Sequence, residues 1–232
     1  MAAAVCRLYP DTKIDIGPAT DDGFYYDFDL EHRLAPEDFP AIEKEVARLI
    51  ALDEPFVQKN VSREECAKML AGQKYKLERL ADIPEGEDIS TYTVGDYAEM
   101  CRGPHVEHSA QIGAVKLMKV AGSYYRGDEK NKMLQRVYGI VGKDQSEIDA
   151  YVARMEEAKK RDHRVLGKQL ALFTINDQVG PGLAHWLPRG ARVRVAIEEY
   201  WRKKHYEAGY EIVYTPHVGK SNLWETSGHL SF

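Results

Sequence analysis

A thiol and an imidazole lie four residues apart in the sequence CRGPH, which runs from Cys101 to His105. Such a pair can bind a metal, act together in hydrolysis, or lie in a turn without a chemical role. A continuous helix would bring the two side chains to one face, but Gly103 and Pro104 between them make a helix unfavourable. We therefore predict that a turn orients Cys101 and His105.

A zinc site is one alternative for this segment, because zinc prefers thiolate and imidazole ligands and a second histidine, His108, follows. Cys101, His105 and His108 would supply three ligands only if the turn folds back on itself. Elsewhere in the sequence there is no second ligand pair of typical spacing, which disfavours a complete zinc site and leaves Cys101 and His105 as a half-site candidate. The remaining alternative is a Gly-Pro turn with an incidental buried cysteine and a surface histidine.

A second candidate is the run KLMKVAGSYYRGDEKNKMLQR, residues 116–136, in which six basic residues and two adjacent tyrosines accompany two acids. Basic groups can hold a phosphate backbone while a base stacks on an aromatic ring. The candidate contacts are Lys116, Lys119, Tyr124, Tyr125, Arg126, Lys130, Lys132 and Arg136. Composition alone favours a solvated loop between strands. The net charge of -5 argues against nucleic-acid binding by the whole surface, but not against a local basic groove.

Composition limits the class of protein. The 232 residues suffice for one large domain, or for one domain and part of another, and the 30% charged and 44% hydrophobic content is typical of a globular protein. No apolar run reaches the length of a membrane-spanning helix, and the start, MAAAVCRLYP, lacks the features of a signal peptide. Three widely separated cysteines favour a reducing compartment. We expect a cytoplasmic protein that does not bind membranes.

The first part of the chain alternates strand-like and helical patterns, which predicts an α+β fold. Its best-defined helix starts near Pro36 and continues through residues 40–52, with apolar residues recurring on one face. Asp22-Gly23 lies between two strand-like runs and predicts a hairpin turn. These elements are the scaffold that must position the Cys101 to His105 segment.

The second part begins with a charged helical pattern of the kind that often links two domains. After a loop rich in Gly and Pro, the sequence predicts a second long helix over about 191–208 and a strand over 210–214 that ends at Thr215-Pro216. The residues that follow are too few to complete a helix-and-sheet domain. We therefore predict three parts, namely a first domain over 1–144, a linker helix over 145–170 and the incomplete start of a second domain over 171–232.

Read together, these stretches resemble threonyl-tRNA synthetase, a class II aminoacyl-tRNA synthetase. The matching segments, in the order of the family, are IGPATDDGFYYDFDL (16–30), MCRGPH (100–105), KLMKVAGSYYRGDEKNKMLQRVYG (116–139), KKRDHRVLGKQLALF (159–173) and the helix, strand and Pro216 that resemble class II motif 1, followed by SNLWETSGH. The resemblance covers nearly the whole chain. It implies a two-layer editing domain with an antiparallel sheet over 1–144, incomplete at its N-terminus, then the linker and the start of the antiparallel-sheet aminoacylation domain.

The resemblance also implies an activity. The family joins threonine to its tRNA with ATP, and its editing domain hydrolyses serine attached by mistake. Serine differs from threonine by one methyl group, which is worth only about 1–3 kcal/mol of discrimination, so a second site must correct the product. Implied for the full-length enzyme are ATP and Mg, zinc bound by ligands outside this chain, the tRNA for threonine, and a homodimer with Pro216 of motif 1 at its interface.

Five editing-site residues follow from the resemblance. His105 would hold or deprotonate the attacking water, and Lys76 would polarise the ester carbonyl or orient a second water. Cys101 would shape the pocket rather than attack, and Tyr26 matches the tyrosine of the family's site. Glu99 stands where the family usually has an aspartate, and its extra methylene moves the carboxylate by about a bond length.

The sequence departs from the family pattern at both ends. The family places an HxxxH pair upstream of the LYPD segment, here preceded only by MAAAVCR, and the chain ends before the ATP-binding class II motifs 2 and 3. We therefore expect an incomplete piece of the enzyme, with ATP–pyrophosphate exchange at background and weak or no deacylation. Two alternatives stay open: a freestanding hydrolase of mischarged tRNA, and a non-catalytic module that binds tRNA through 116–136 and dimerises through 191–216.

Overall fold

The structure is a computed structural model that describes residues 1–230. Its helices are α1 (Ala2–Leu8), α2 (Phe39–Ala51), α3 (Arg63–Met69), α4 (Lys74–Asp82), α5 (Gln145–Lys160), α6 (His163–Gln169), α7 (Pro188–Glu207) and α8 (Ser221–Thr226). Its strands are β1 (Lys13–Ile14), β2 (Ala19–Thr20), β3 (Gly23–Asp29), β4 (Phe56–Val61), β5 (Ile89–Val94), β6 (Tyr97–Met100), β7 (Ala114–Tyr124), β8 (Met133–Gly142), β9 (Phe173–Ile175) and β10 (Ala184–Trp186). The chain divides into two compact units, Met1–Met155 and Glu156–Phe232.

The main sheet of the first unit has the strand order β1-β3-β8-β7, with β2 paired to β3, and every pair is antiparallel. Alternate residues of these strands point to one face, where α1 and α2 pack against them. Val5, Phe28, Ile42 and Val137 are fully buried there. Each buried side chain of this size stabilises the fold by roughly 1.5–3 kcal/mol, so this layer is the main core.

A second sheet of the first unit consists of β4, β5 and β6 in sequence order, again antiparallel. The helices α3 and α4 pack with it around a smaller core of Cys66, Leu70, Leu80 and Ile89. A capping box starts α3, because the Ser62 side chain accepts from the Glu65 backbone while the Glu65 carboxylate accepts from Ser62. This small layer carries Lys76 on α4 and Glu99 on β6.

The best-defined helix of the sequence analysis is confirmed as α2. A 3-10 turn over Pro36–Asp38 leads into it, and Ile42 and Val46 are buried on the predicted apolar face. The proline that was predicted to start this region lies at the first position of the 3-10 turn, where its missing N–H costs no helical hydrogen bond.

The predicted hairpin turn at Asp22-Gly23 is wrong by one residue. Thr20 pairs with Gly23, so Asp21 and Asp22 form the two-residue loop and Gly23 starts the strand. Gly23 has φ +148, and a Cβ on it would lie 2.3 Å from the carbonyl oxygen of Gly139 on β8. Glycine is therefore required for the close approach of two strands rather than for the turn.

The second unit contains the β9–β10 antiparallel pair, α6, α7 and α8. The predicted second long helix is confirmed as α7, which starts at Pro188, three residues earlier than expected. The charged helical stretch over 145–170 is not continuous, because α5 ends at Lys160 and Asp162 starts α6 by accepting a hydrogen bond from the Arg164 N–H.

The predicted strand over 210–214 is wrong. Tyr210 donates its N–H to the carbonyl of His205 at the end of α7, and the segment that follows has no regular structure. Strands form by exchanging backbone hydrogen bonds with a partner, and within 156–230 no strand pairs with 211–214. The local β propensity of this segment is not sufficient without a partner.

An α+β fold with antiparallel sheets is confirmed. The assignment of 1–144, 145–170 and 171–232 to an editing domain, a linker and the start of a catalytic domain stays a prediction. Across residues 1–230, no helix combines the length and the apolar character needed to cross a membrane.

Candidate active site

The carboxylate of Glu99 is the centre of a buried polar cluster. Lys76 and Tyr26 both donate to Glu99 Oε1, and the Tyr97 hydroxyl donates to Oε2 over 2.7 Å. Tyr97 and Glu99 are two residues apart on β6, so their side chains share one face of the strand. The structure thus brings together Tyr26, Lys76 and Glu99, which the sequence analysis selected from three separate segments.

Lys76 reaches the cluster from α4 with only 6% of its side chain exposed. A short helix has little stability of its own, and polar contacts on both sides of Lys76 hold this one. Tyr75 donates to Asp29 over 2.7 Å, and Arg79 makes two hydrogen bonds of 2.9 and 3.0 Å to Asp15. A buried ammonium needs an anionic partner, and Glu99 is the partner of Lys76 in this site.

Tyr26 lies on β3 and faces the core, packed against Phe28 and the backbone of Gly17. A Cβ on Gly17 would lie 2.0 Å from the Tyr26 ring, so glycine is required for this contact. Burial, together with the nearby charge of Glu99, raises the pKa of Tyr26 well above its ordinary value. The phenol therefore keeps its proton and remains a hydrogen-bond donor to Glu99.

The segment from Cys101 to His105 is a turn, as predicted, and not a helix. The Nε2 atom of His105 lies 3.2 Å from Cys101 Sγ, and the Gly103 N–H donates to the same sulfur over 3.4 Å. Gly103 has φ +68, and a Cβ on it would lie 2.2 Å from the Tyr92 hydroxyl. This glycine allows the chain to turn tightly enough to bring the thiol and the imidazole together.

Two aromatic rings hold the imidazole of His105. It stacks on Phe56 at 5.3 Å between ring centroids and meets the edge of Tyr92 at 4.4 Å. One side of the histidine is exposed, but these contacts remove water from the ring faces. The loss of water lowers the pKa of His105, while the negative charge of Glu99 acts in the opposite direction. The imidazole is therefore neutral at neutral pH and can accept a proton.

The Glu99 cluster and the pair of Cys101 and His105 are adjacent, because Glu99 and Cys101 are two residues apart at the end of β6. They place a neutral imidazole, a thiol, an ammonium and a carboxylate in one region. An ammonium has three N–H donors, and the Lys76 contact with Glu99 engages one of them. Such a combination can activate a water with the imidazole and stabilise a developing oxyanion with the ammonium.

Metal ligands do not assemble around this turn. Within the described part of the chain, no three His, Cys, Asp or Glu side chains come together in a group that could hold a metal ion. His108 instead has its Nδ1 3.5 Å from an Asp53 carboxylate oxygen and 3.2 Å from the Asp53 carbonyl. The structure therefore does not bring Cys101, His105 and His108 together as three zinc ligands, and a metal half-site of Cys101 and His105 stays a prediction.

The basic run folds into the β7–β8 hairpin, in which residues 125–132 form the connection between the two strands. Several of its members contact acidic partners, the pairs being Lys116 with Glu43, Arg126 with Asp82, Lys132 with Asp29 and Arg136 with Asp27. Tyr125 is buried, whereas Tyr124 is exposed. Of the six cations in this run, Lys119 and Lys130 are outside ion pairs in residues 1–230. A role of the hairpin in tRNA binding stays a prediction.

The structure also places Pro216, and it adds three residues to the site that the sequence analysis did not select. Pro216 is exposed in an irregular segment between α7 and α8, and its place at a dimer interface stays a prediction. Tyr97 was missed by the sequence analysis, although the spacing Tyr97-x-Glu99 on a strand would have placed both side chains on one face. Phe56 and Tyr92 were missed because their contacts with His105 connect segments distant in sequence.

Comparison with known proteins adds two findings. Residues 89–138, which include Glu99, Cys101 and His105, match the family model of the threonyl and alanyl tRNA synthetase second additional domain. The whole chain is 50% identical to a threonine–tRNA ligase of Dehalococcoides mccartyi, 46% to one of Magnetococcus marinus and 44% to one of Borrelia duttonii. The chain spans 40%, 36% and 40% of the length of these three relatives.

Proposed function

We propose that this chain is part of a threonine–tRNA ligase, and that the whole protein attaches threonine to the cognate tRNA with ATP and removes serine attached by mistake. The identity of 44–50% over all 232 residues supports the ligase activity of the whole protein. The first unit supplies the editing function. The observation that carries this assignment is the convergence of Lys76, Glu99, Cys101 and His105 around the end of β6.

The reaction assigned to this site is hydrolysis of the ester between serine and the terminal ribose of the tRNA. His105 accepts a proton from a water while that water attacks the ester carbonyl. The N–H groups of Lys76 not engaged by Glu99 stabilise the negative charge on the carbonyl oxygen. The proton on His105 then passes to the ribose oxygen as the carbon–oxygen bond breaks, which releases serine and the intact tRNA.

Cys101 has a supporting part in this scheme. Its sulfur accepts the Gly103 N–H and lies against His105, so it orients the imidazole and forms the pocket wall. No covalent intermediate on Cys101 is needed, because water is the nucleophile. A serine adduct trapped on Cys101 during turnover would contradict this part of the proposal.

The remaining components belong to the whole protein. ATP with Mg would drive the attachment of threonine, and zinc would bind in the catalytic domain. The described residues of this chain offer no set of three metal ligands, so no step of the editing reaction is assigned to a metal. The tRNA would run along the β7–β8 hairpin, where Lys119, Lys130 and Tyr124 are exposed, and a homodimer would form through the region around Pro216.

Binding of a non-hydrolysable substrate mimic tests the editing function. In this mimic, serine is joined to the 3′ position of adenosine by an amide in place of the ester, and the matched compound carries threonine. We expect calorimetry to show tighter binding of the seryl amide by about tenfold or more, since one methyl group is worth about 1–3 kcal/mol. His105→Gln should reduce that preference.

Other outcomes distinguish the alternatives. If neither amide binds but tRNA binds with steep salt dependence, the chain acts as a tRNA-binding module without an editing site. If both amides bind equally, the pocket has no selectivity for serine, and the proposed function is contradicted.

A further inference from the structure

The two oxygens of Glu99 are held in different ways. Oε1 accepts from both Lys76 and Tyr26, whereas Oε2 accepts only from Tyr97. The first two donors come from α4 and β3, far away in sequence, while Tyr97 comes from the same strand as Glu99. Tyr97 is therefore the contact that fixes the carboxylate relative to its own backbone.

The ring of Tyr97 is itself fixed by packing. It lies against the main core, and it forms part of the wall of a cavity of about 500 Å³ together with Phe24 and Val46. Its partner across the sheet is Val94. The contact with the core limits the movement of the ring, which makes its hydroxyl a suitable anchor for a flexible carboxylate.

Glutamate needs such an anchor more than aspartate would. Its longer side chain has an additional rotatable bond, and its loss of conformational freedom in a single rotamer is larger. Three donors must meet one carboxylate for Lys76 to keep its position at Glu99. Without a contact at Oε2, the carboxylate could rotate and carry the Lys76 ammonium with it.

We propose that Tyr97 is a positioning residue of the editing site, which holds Oε2 of Glu99 so that Oε1 keeps Lys76 and Tyr26 in place. This inference rests on the proposed editing function. Burial and the charge of Glu99 raise the pKa of Tyr97 well above its ordinary value, so its hydroxyl remains a donor. The neighbouring thiol of Cys6 also remains neutral, since burial raises its pKa to about 11.

The variant Tyr97→Phe tests this inference, because it removes the hydroxyl and keeps the ring. The matched control is Tyr151→Phe on α5, which removes a phenol hydroxyl away from Glu99. The first readout is the ¹⁵N signal of the Lys76 ammonium, assigned with Lys76→Arg. We expect a protected signal in the wild-type chain and in Tyr151→Phe, and a signal broadened by exchange with water in Tyr97→Phe.

The second readout is binding of the seryl amide of adenosine in a double-mutant cycle. Tyr97→Phe should weaken binding by about tenfold, on the order of one hydrogen bond to a charged group. In a Glu99→Gln background, where Oε2 is no longer part of an anion, the same change should have an effect of about twofold or less. Equal effects in both backgrounds would show that Tyr97 acts through packing alone and would overturn the inference.

The two proposals fail in different ways. If the wild-type chain does not bind the seryl amide, the editing function fails, while the Lys76 signal still reports on Tyr97. If the amide binds and Tyr97→Phe changes neither the Lys76 signal nor the affinity, the editing function stands and the positioning role of Tyr97 is wrong.

Discussion

The first unit buries its large apolar side chains, whereas the second exposes them. The buried hydrophobic residues of the described chain all lie between Ala2 and Ile148. In the second unit, within residues 156–230, the only buried positions are Gly167 and Gly190, and α7 exposes 63% of Ile197 and 51% of Trp201. A helix such as α7 forms from local signals, but only tertiary contacts can cover its apolar face.

This difference explains where a site for chemistry can be built. The Glu99 cluster requires groups held within hydrogen-bond distance and shielded from water, which only a packed unit supplies. Most ion pairs of the second unit are exposed and lie between neighbouring turns of one helix, such as Arg194 with Glu198. The buried ion pair of the first unit therefore holds a site in place, whereas the exposed pairs of the second unit connect residues that are close in sequence.

The largest expected effect comes from breaking the buried ion pair of the first unit. Glu99→Ala leaves the Lys76 ammonium buried without a partner and should lower the free energy of unfolding by about 3–5 kcal/mol. The matched variant Glu198→Ala removes an exposed partner and should cost less than about 1 kcal/mol. Urea unfolding followed by circular dichroism measures both, and equal costs would contradict the contrast between the units.

The next largest effect is the difference in stability cost between truncating a buried isoleucine and truncating an exposed one. Ile42→Ala in the main core should cost about 2–5 kcal/mol, while Ile197→Ala on α7 should change stability by about 0.5 kcal/mol or less. Circular dichroism should report the first change. All three tryptophans lie in the second unit, at 186, 201 and 224, so their fluorescence should report the second. A large cost for Ile197→Ala would mean that α7 is covered in solution.

Self-association should also distinguish the units. The exposed apolar residues of α7 predict concentration-dependent association of the chain. Trp201→Ser should raise the dissociation constant by about fivefold or more, as expected for removal of a central aromatic contact. Val57→Ser, at an exposed apolar residue of the first unit, should leave it unchanged. Sedimentation over a range of concentrations measures this, and a wild-type chain that stays monomeric would contradict it.

The smallest expected effect is the contribution of His105, in the first unit, to the pH dependence of stability. Contact with aromatic rings lowers the pKa of His105 below its ordinary value of 6.5. The unfolded chain therefore binds a proton more readily than the folded one, so this residue's contribution to stability decreases as the pH falls below 6.5. An NMR titration should give a midpoint below 6.5. Phe56→Leu should move the midpoint upwards, and a wild-type midpoint above 6.5 would contradict the assignment.

Features determined locally could be predicted from the sequence. The apolar periodicity of α2, the long helix α7 and the turn between Cys101 and His105 follow from short segments, and the structure has all three. The turn from Asp21 to Asp22 was misplaced by one residue, since the role of Gly23 depends on a contact with Gly139 on a distant strand. Local patterns do not contain that contact.

The site shows the same limit. Family motifs identified Tyr26, Lys76 and Glu99, but the hydrogen bonds that join them depend on how β3, α4 and β6 pack. Tyr97 matches no motif, and its contact with Glu99 follows only once β6 is known to be a strand. The strand predicted at 210–214 is absent because local β propensity does not supply the partner strand that it needs for backbone hydrogen bonds.

The most direct test of the account is hydrolysis of tRNA esters with the protein in excess over the substrate. The tRNA for threonine is charged with serine or with threonine, and the loss of each ester is compared with its uncatalysed rate. The account predicts a weak but selective acceleration for the seryl ester, which His105→Ala abolishes and Tyr151→Phe does not. Acceleration of both esters to the same extent, or a selective acceleration that survives His105→Ala, would contradict it.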